Sequence, residues 1–522
     1  MRCRKTSGAA ACLVLVLAAC GMSSETSDFA RAADAPSFEP GNGAAPGAGG
    51  GDAPPEKEIE SDYEAPVATG NVVWIANPKS GRVALVDAST LQVRTVEAGN
   101  GPTYLASVPN QPVDTTLVLN VLSEDATLIK VTGDGIKTVT FKVAKQANTM
   151  VFSSDGRFAI AWADARKVPG APRTQGFQDL TILDLTLNTS TILAVGYRPV
   201  AVGFAEGQAR AHAVTQDGVA IIDLSSAPNV TKNVAISATP NEDPGTRDVF
   251  VTKDGARAFI RRDGSDAITV VALDTATRTD VTLSGPVTDL DLADTGDRAV
   301  AVVRDTAEVA VLPIAEPSNV TSFTVAGETI GSVSIAPGGN KALLYTNALA
   351  IERFSILDLG QSGGLRTVRL YSPVLGIFSS PDAQHAIVLH DKVAGSGVRG
   401  EGASHGAFSV VPIGQTLPAK IVATEAPPTA VATTNDRAIV AERNDNTRVF
   451  GAYLARMPQL MVERYPLASP PIAVGAVPNA KRVFVAQQHP EGRLTFIDME
   501  SGVARTLTGF ELSSRVVDGS KP

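Results

Sequence analysis

The chain has 522 residues, 54 of them acidic and 45 basic, so its formal charge is −9, and only 5% of its residues are aromatic. That balance excludes a nucleic-acid binder, which needs a basic face. Three cysteines and five histidines are too few for a disulfide framework or a histidine-rich metal centre.

In chain order, the first element is a leader. Arg2, Arg4 and Lys5 precede the apolar run 9–17, which is too short to span a bilayer as a helix. The segment closes on Leu17-Ala18-Ala19-Cys20. This resembles the lipobox of bacterial lipoproteins. The resemblance implies that 1–19 is a signal peptide and that Cys20 is the lipid-attachment residue. Gly21 follows, not the aspartate that retains such proteins in the inner membrane, which implies an outer-membrane location where the cell has one. Removing residues 1–19 takes three of the 45 basic residues away and leaves 42 against 54 acidic ones.

Residues 20–66 carry ten acids against Arg31 and Lys57 and are rich in Gly, Ala and Pro. Such a stretch buries too little surface to offset its ordering entropy. It reads as an acidic tether that holds a domain clear of the membrane.

From residue 67 to 522 the pattern is all-β. Residues 72–110 alternate short apolar runs (VVWIAN, RVALVD, QVRTVEAG, TYLASV) with turns. The pattern resembles the YVTN-type, WD-like β-propeller repeat, and the resemblance implies one propeller of four-stranded blades. Turns such as Ser154-Asp155-Gly156, Lys253-Asp254-Gly255 and Pro381-Asp382-Ala383 recur along the chain, from Pro109-Asn110 to Asp518-Gly519. Ten are counted, and a ring of seven to ten blades fits them. The strands are apolar on both faces, so each small sheet needs a neighbour on both sides, and radial stacking supplies it. The final strand-like run ELSSRVV (511–517) has the phase of a first strand. It is expected to pair with 72–76 and close the ring through the two termini.

Third strands end in aspartate at Asp87, Asp184, Asp223, Asp274, Asp358 and Asp498, read as openers of tight turns rather than as metal ligands. Asp289 and Asp291, two apart on an innermost strand, are the best acidic pair near the channel. They would serve an extracytoplasmic lactonase-like hydrolase, the alternative function. His385 and His390 are five apart on one strand and therefore point to opposite faces. The GSGVRG stretch at 395–400 lies between two strands with no following helix, so it is a surface loop and not a nucleotide cradle.

Two insertions, at 164–178 and 391–407, occupy the same repeat position. They should decorate one face with Arg166, Lys167, Arg173, Lys392 and Arg399. The expected function is a non-catalytic envelope lipoprotein whose propeller is a protein-interaction or ligand-binding platform. Membrane lipid is held through acylated Cys20, and a protein partner sits on that face. No catalytic residue, metal or cofactor is predicted.

Overall fold

The computed structural model describes residues 66–164, 167, 177–239, 242–360, 364–370, 372–390, 406–489 and 491–510, and the backbone of 516–517. The strands form ten sheets, each a four-stranded antiparallel meander in chain order, with a short fifth strand added in parallel to the first of them. We number them as blades 1 to 10, with strands spanning 67–97, 102–142, 149–194, 201–234, 247–282, 287–324, 332–369, 374–424, 428–466 and 471–508. The first strand of each blade is innermost and the fourth is outermost.

The recurring turn joins the first strand to the second. Asp155 accepts the Ser153 hydroxyl at 2.5 Å and the Arg157 N–H at 3.0 Å, and Ser153 Oγ accepts the Phe158 N–H. The arrangement repeats at Thr252–Asp254 and Ser380–Asp382. Gly156 sits at φ +70, and a Cβ there would lie 2.0 Å from the Pro109 carbonyl of blade 2, so this turn requires glycine on both counts. These Ser/Thr-x-Asp signatures are the local reason that the chain reverses where the sequence predicted it to.

Strand periodicity then divides each blade between two neighbours. In blade 3, Ala159 and Ala161 pack toward blade 2, while Phe158, Ile160 and Trp162 pack toward blade 4. Ten apolar clusters result, one at each seam, including a seam between blade 10 and blade 1 built on Phe484, Phe496, Val73 and Val86. The ring is a ten-bladed β-propeller closed by side-chain packing.

A polar belt reinforces it. At six seams the residue that opens a second strand reaches a backbone acceptor in the next blade. Arg298 donates to Leu359 O at 2.9 Å, Lys341 to Ile413 O at 2.8 Å and Arg437 to Met499 O at 3.2 Å. Arg257 donates to Ile314 O, and Arg482 closes the ring by donating to Ala88 O. In these five the acceptor is the residue immediately after the third strand. Arg210 makes a variant, with Gly255 O at 3.1 Å and Asp274 at 2.8 Å.

The C-terminal strand does pair with the N-terminal blade, but not at the strand expected. Both neighbours of 72–77 are taken, so 516–517 do not pair with 72–76, and 511–515 lie outside the described residues. Val67 and Ala68 take the innermost place in blade 1, opposite Trp74 and Val73. Residues 516–517 instead run parallel along the outer side of blade 1, opposite Thr95 and Val96. The reason is proximity: Val67–Ala68 needs only the turn 69–71 to reach its partner, so its loop-closure entropy is small. The turn at 518–519 lies outside the described residues, and Thr69–Asn71 supplies the tenth turn in its place.

Candidate functional site

Connections between second and third strands leave one face of the ring, as do the links between blades. The turns described above and the third-to-fourth turns leave the other. The two longest second-to-third connections follow Asp164 in blade 3 and His390 in blade 8. They occupy equivalent positions five blades apart, on opposite sides of a ring of ten.

Both leave from buried polar clamps. Asn148 accepts the Asp164 N–H at 2.8 Å and donates to the Asp164 carbonyl at 3.1 Å. His390 bonds Pro373 O at 3.1 Å through Nδ1 and Ser409 Oγ at 2.7 Å through Nε2. Burial pushes the His390 imidazole down to about 4, so it is neutral at physiological pH. Lys167 is exposed, and its N–H bonds Asp164 O at 3.0 Å. Arg166, Arg173, Lys392, Arg399 and the 395–400 glycines lie outside the described residues, as does Cys20.

On the second strand of blade 9, Glu442 is fully buried. Its Oε2 accepts the N–H groups of Glu425 (2.8 Å) and Ala426 (3.0 Å) and the Tyr453 hydroxyl (3.1 Å), and its Oε1 accepts from Arg464 at 2.7 Å. It therefore fixes the link between blades 8 and 9. Burial first, and then the Glu442 charge, push the Tyr453 phenol up. Gly451 leaves room for this carboxylate, since a Cβ there would meet Oε1 at 2.5 Å. The same face carries Glu242 against Arg247 and Arg262, and Glu328 against Arg353.

His385 and His390 stand at opposite ends of their strand, one half-buried near Asp382 and the other buried. His212, half-buried in blade 4, is pushed down to about 4 by desolvation of its ring and the nearby Arg210 charge. Among the described residues no group of three or more His, Cys, Asp or Glu is placed to hold a metal ion.

The third-strand aspartates open turns. Asp87 accepts the Ser89 and Thr90 N–H groups, Asp184 those of Thr186 and Leu187, and Asp498 those of Glu500 and Ser501. Asp223 and Asp358 accept from Ser225 and Gly360. Asp274 instead receives Arg210 of the preceding blade.

Asp289 and Asp291 do share one face of the innermost strand of blade 6, with Asp294 in the following turn. All three accept N–H groups from blade 7: Asp289 from Val333 at 2.7 Å, Asp291 from Ile335 at 3.0 Å and Asp294 from Gly338 at 3.0 Å. The pair pins two inner strands together along the channel wall. Burial raises the Asp291 carboxyl to about 6, and the Ile335 N–H opposes the rise. The native state thus holds this proton more tightly than the unfolded chain. The contribution of Asp291 to stability is complete below about pH 4 and is lost as pH rises through about 6. Asp291→Asn keeps an acceptor for Ile335. It should raise stability at pH 7 by about 2–3 kcal/mol and flatten the difference from the parent protein below about pH 4, read from urea unfolding at both pH values.

Sequence reasoning missed the basic belt and Glu442. The belt had a signal, a basic residue after successive turns (Arg210, Arg257, Arg298, Lys341, Arg437, Arg482). Glu442 had none, because its partners come from two separate strands and a link.

No known protein family matches the chain, and no curated protein does. Among solved structures it is similar to a eukaryotic initiation factor, at 10% identity over 84% of this chain and 97% of that one, with a TM-score of 0.50. It is also similar to Kuenenia stuttgartiensis hydrazine synthase, at 15% identity over 59% of this chain and 95% of that one, TM-score 0.33. A third likeness is to the dihydro-heme d1 dehydrogenase NirN in complex with DHE, at 15% identity over 66% and 76% of the two chains, TM-score 0.38. At these identities the likeness is one of fold alone, and what the chain itself establishes is a ten-bladed β-propeller with ten apolar seams, six of them clasped by a basic side chain.

Proposed function

We propose that this protein is a cell-envelope lipoprotein, anchored through acylated Cys20, whose propeller is a non-catalytic platform for a protein partner. One observation carries the reading. The two longest second-to-third connections rise from rigid polar clamps at opposite sides of one face. Stable mounts beneath long loops suit a face built to grip a partner from two sides. The basic residues of 164–178 and 391–407 stand out on a chain of net charge −9 and would meet an acidic partner surface. The channel acids that would serve a hydrolase are already engaged in holding blade 7.

The test compares the full-length protein with two variants in a Gram-negative host. Cys20→Ala should lose lipid labelling and appear in the soluble envelope fraction. Shortening both loops to tight turns should leave the melting transition within a few degrees of the parent, since closure entropy changes slowly with loop length. The same change should remove the proteins that cross-link to the parent. A Cys20→Ala protein that stays membrane-bound refutes the anchor, and an unchanged cross-linking profile refutes the platform face.

A further inference from the structure

The basic belt is interrupted between blades 2 and 3, and a groove opens there. The second strand of blade 2 begins with Thr115, whose hydroxyl turns back to the Val113 carbonyl. No basic arm crosses to blade 3 among the described residues; Asn110 and Gln111 reach it instead, donating to the Ser154 and Gly156 carbonyls at the near end of the groove. The acceptor that such an arm takes at other seams corresponds here to the carbonyl of Leu185, one residue past the third strand of blade 3. Leu185 lies on the wall of a groove of about 300 Å³.

The groove has a floor and two cations. Leu128, Val139 and Leu185 supply the apolar floor. Lys130 and Lys137 stand directly opposite each other on neighbouring strands, on the side of blade 2 that faces blade 3. Like charges in register across a strand pair disfavour the sheet. Neither lysine makes an ion pair among the described residues, although the chain has 54 carboxylates to offer. Thr186 and Asn188 line the blade 3 side, and Leu187 between them is 66% exposed. Asp184, the nearest carboxylate of that turn, is already held by Arg157 and two N–H groups.

We propose that this groove docks an extended acidic peptide of a partner protein. Carboxylates on the peptide neutralise Lys130 and Lys137, an apolar side chain between them fills the floor, and a peptide N–H takes the Leu185 carbonyl that no clasp arm occupies. An anionic membrane surface would meet the lysines but could not enter the groove to reach that carbonyl. The site is on the face opposite the second-strand ends at Asp164 and His390, so it stands independently of the platform reading.

The probe is the acetylated, amidated peptide Glu-Glu-Leu-Glu-Glu, labelled with a fluorophore and titrated into the full-length protein in detergent. One-to-one binding is expected, weakening at least tenfold between 50 and 200 mM salt, roughly as for a contact that depends on screened charges. Lys130→Gln with Lys137→Gln should weaken binding at least tenfold without lowering the melting temperature, because it relieves a repulsion. Lys481→Gln, at a distant exposed ion pair, should change nothing. Replacing the peptide leucine by serine should also weaken binding. Equal binding by the double variant, or no dependence on the leucine, overturns the proposal. So does lysine-dependent binding to phosphatidylglycerol vesicles without binding to the peptide.

Discussion

Phe496→Ala should lower the stability of the propeller by about 3–5 kcal/mol, the range for emptying an aromatic site in a packed core. Phe496 is almost wholly buried at the seam between blades 10 and 1, with its ring centroid 6.4 Å from that of Phe484. The same cluster holds Val73, Val86 and Ala88 of blade 1. No covalent link passes between these blades except the long way round the chain, so this cluster holds the ring shut together with the Arg482 clasp and the pairing of 516–517 with blade 1. The substitution should therefore also broaden the urea transition, as the blades nearest the seam open before the rest. Arg482→Ala removes only the clasp onto Ala88 O and should cost less, about 1–3 kcal/mol, without the broadening. A Phe496→Ala transition that shifts by less than 1 kcal/mol would show that the ring does not depend on this seam.

Glu442→Ala should cost a similar amount, about 3–5 kcal/mol, for a different reason. The carboxylate is fully buried and answers Arg464, the Tyr453 hydroxyl and the N–H groups of Glu425 and Ala426. Its removal leaves all of them without their acceptor. Arg464 retains Glu425 at 2.9 Å, a more exposed carboxylate, so the arginine itself is not stranded. The loss should fall on the link between blades 8 and 9. Hydrogen exchange should show it as faster exchange at Glu425 and Ala426 and at Gly406, which packs against Pro427 and Pro428. Uniform acceleration across all ten blades would argue that Glu442 supports global rather than local stability.

The fold was legible because its signal is repeated. A Ser/Thr-x-Asp turn followed by an apolar strand specifies one reversal, and its recurrence along the chain specifies a count. That count reached ten although one of its turns was misplaced. The strand Val67–Ala68 has two residues and follows directly on the Gly-, Ala- and Pro-rich tether, so no periodicity marks it. The C-terminal run looked the better first strand on pattern alone, but pattern carries no information about which of two candidates is nearer in space.

The site was less legible. Asp289 and Asp291 were correctly placed on one face of an inner strand. Their partners, however, are main-chain N–H groups of another repeat, which no side-chain motif announces. The basic belt fails to announce itself for the same reason, since its acceptors are carbonyls. The insertions at 164–178 and 391–407 were visible as interruptions of the repeat, and what the structure adds is the polar clamp beneath each.

The belt has a direction. Each arm reaches forward, from one blade to its successor, so every clasped seam joins a donor surface to a different acceptor surface. Such head-to-tail contacts are heterologous and terminate only when the array bends back on itself. A fragment ending before blade 10, or a chain whose last seam has opened, presents an acceptor at one end and a donor at the other. Two such molecules complement each other as well as one complements itself, and further copies can be added without limit. Geometric closure at ten blades thus separates a monomer from a filament, and damage at the Arg482–Ala88 seam would surface as polymerisation rather than as simple unfolding.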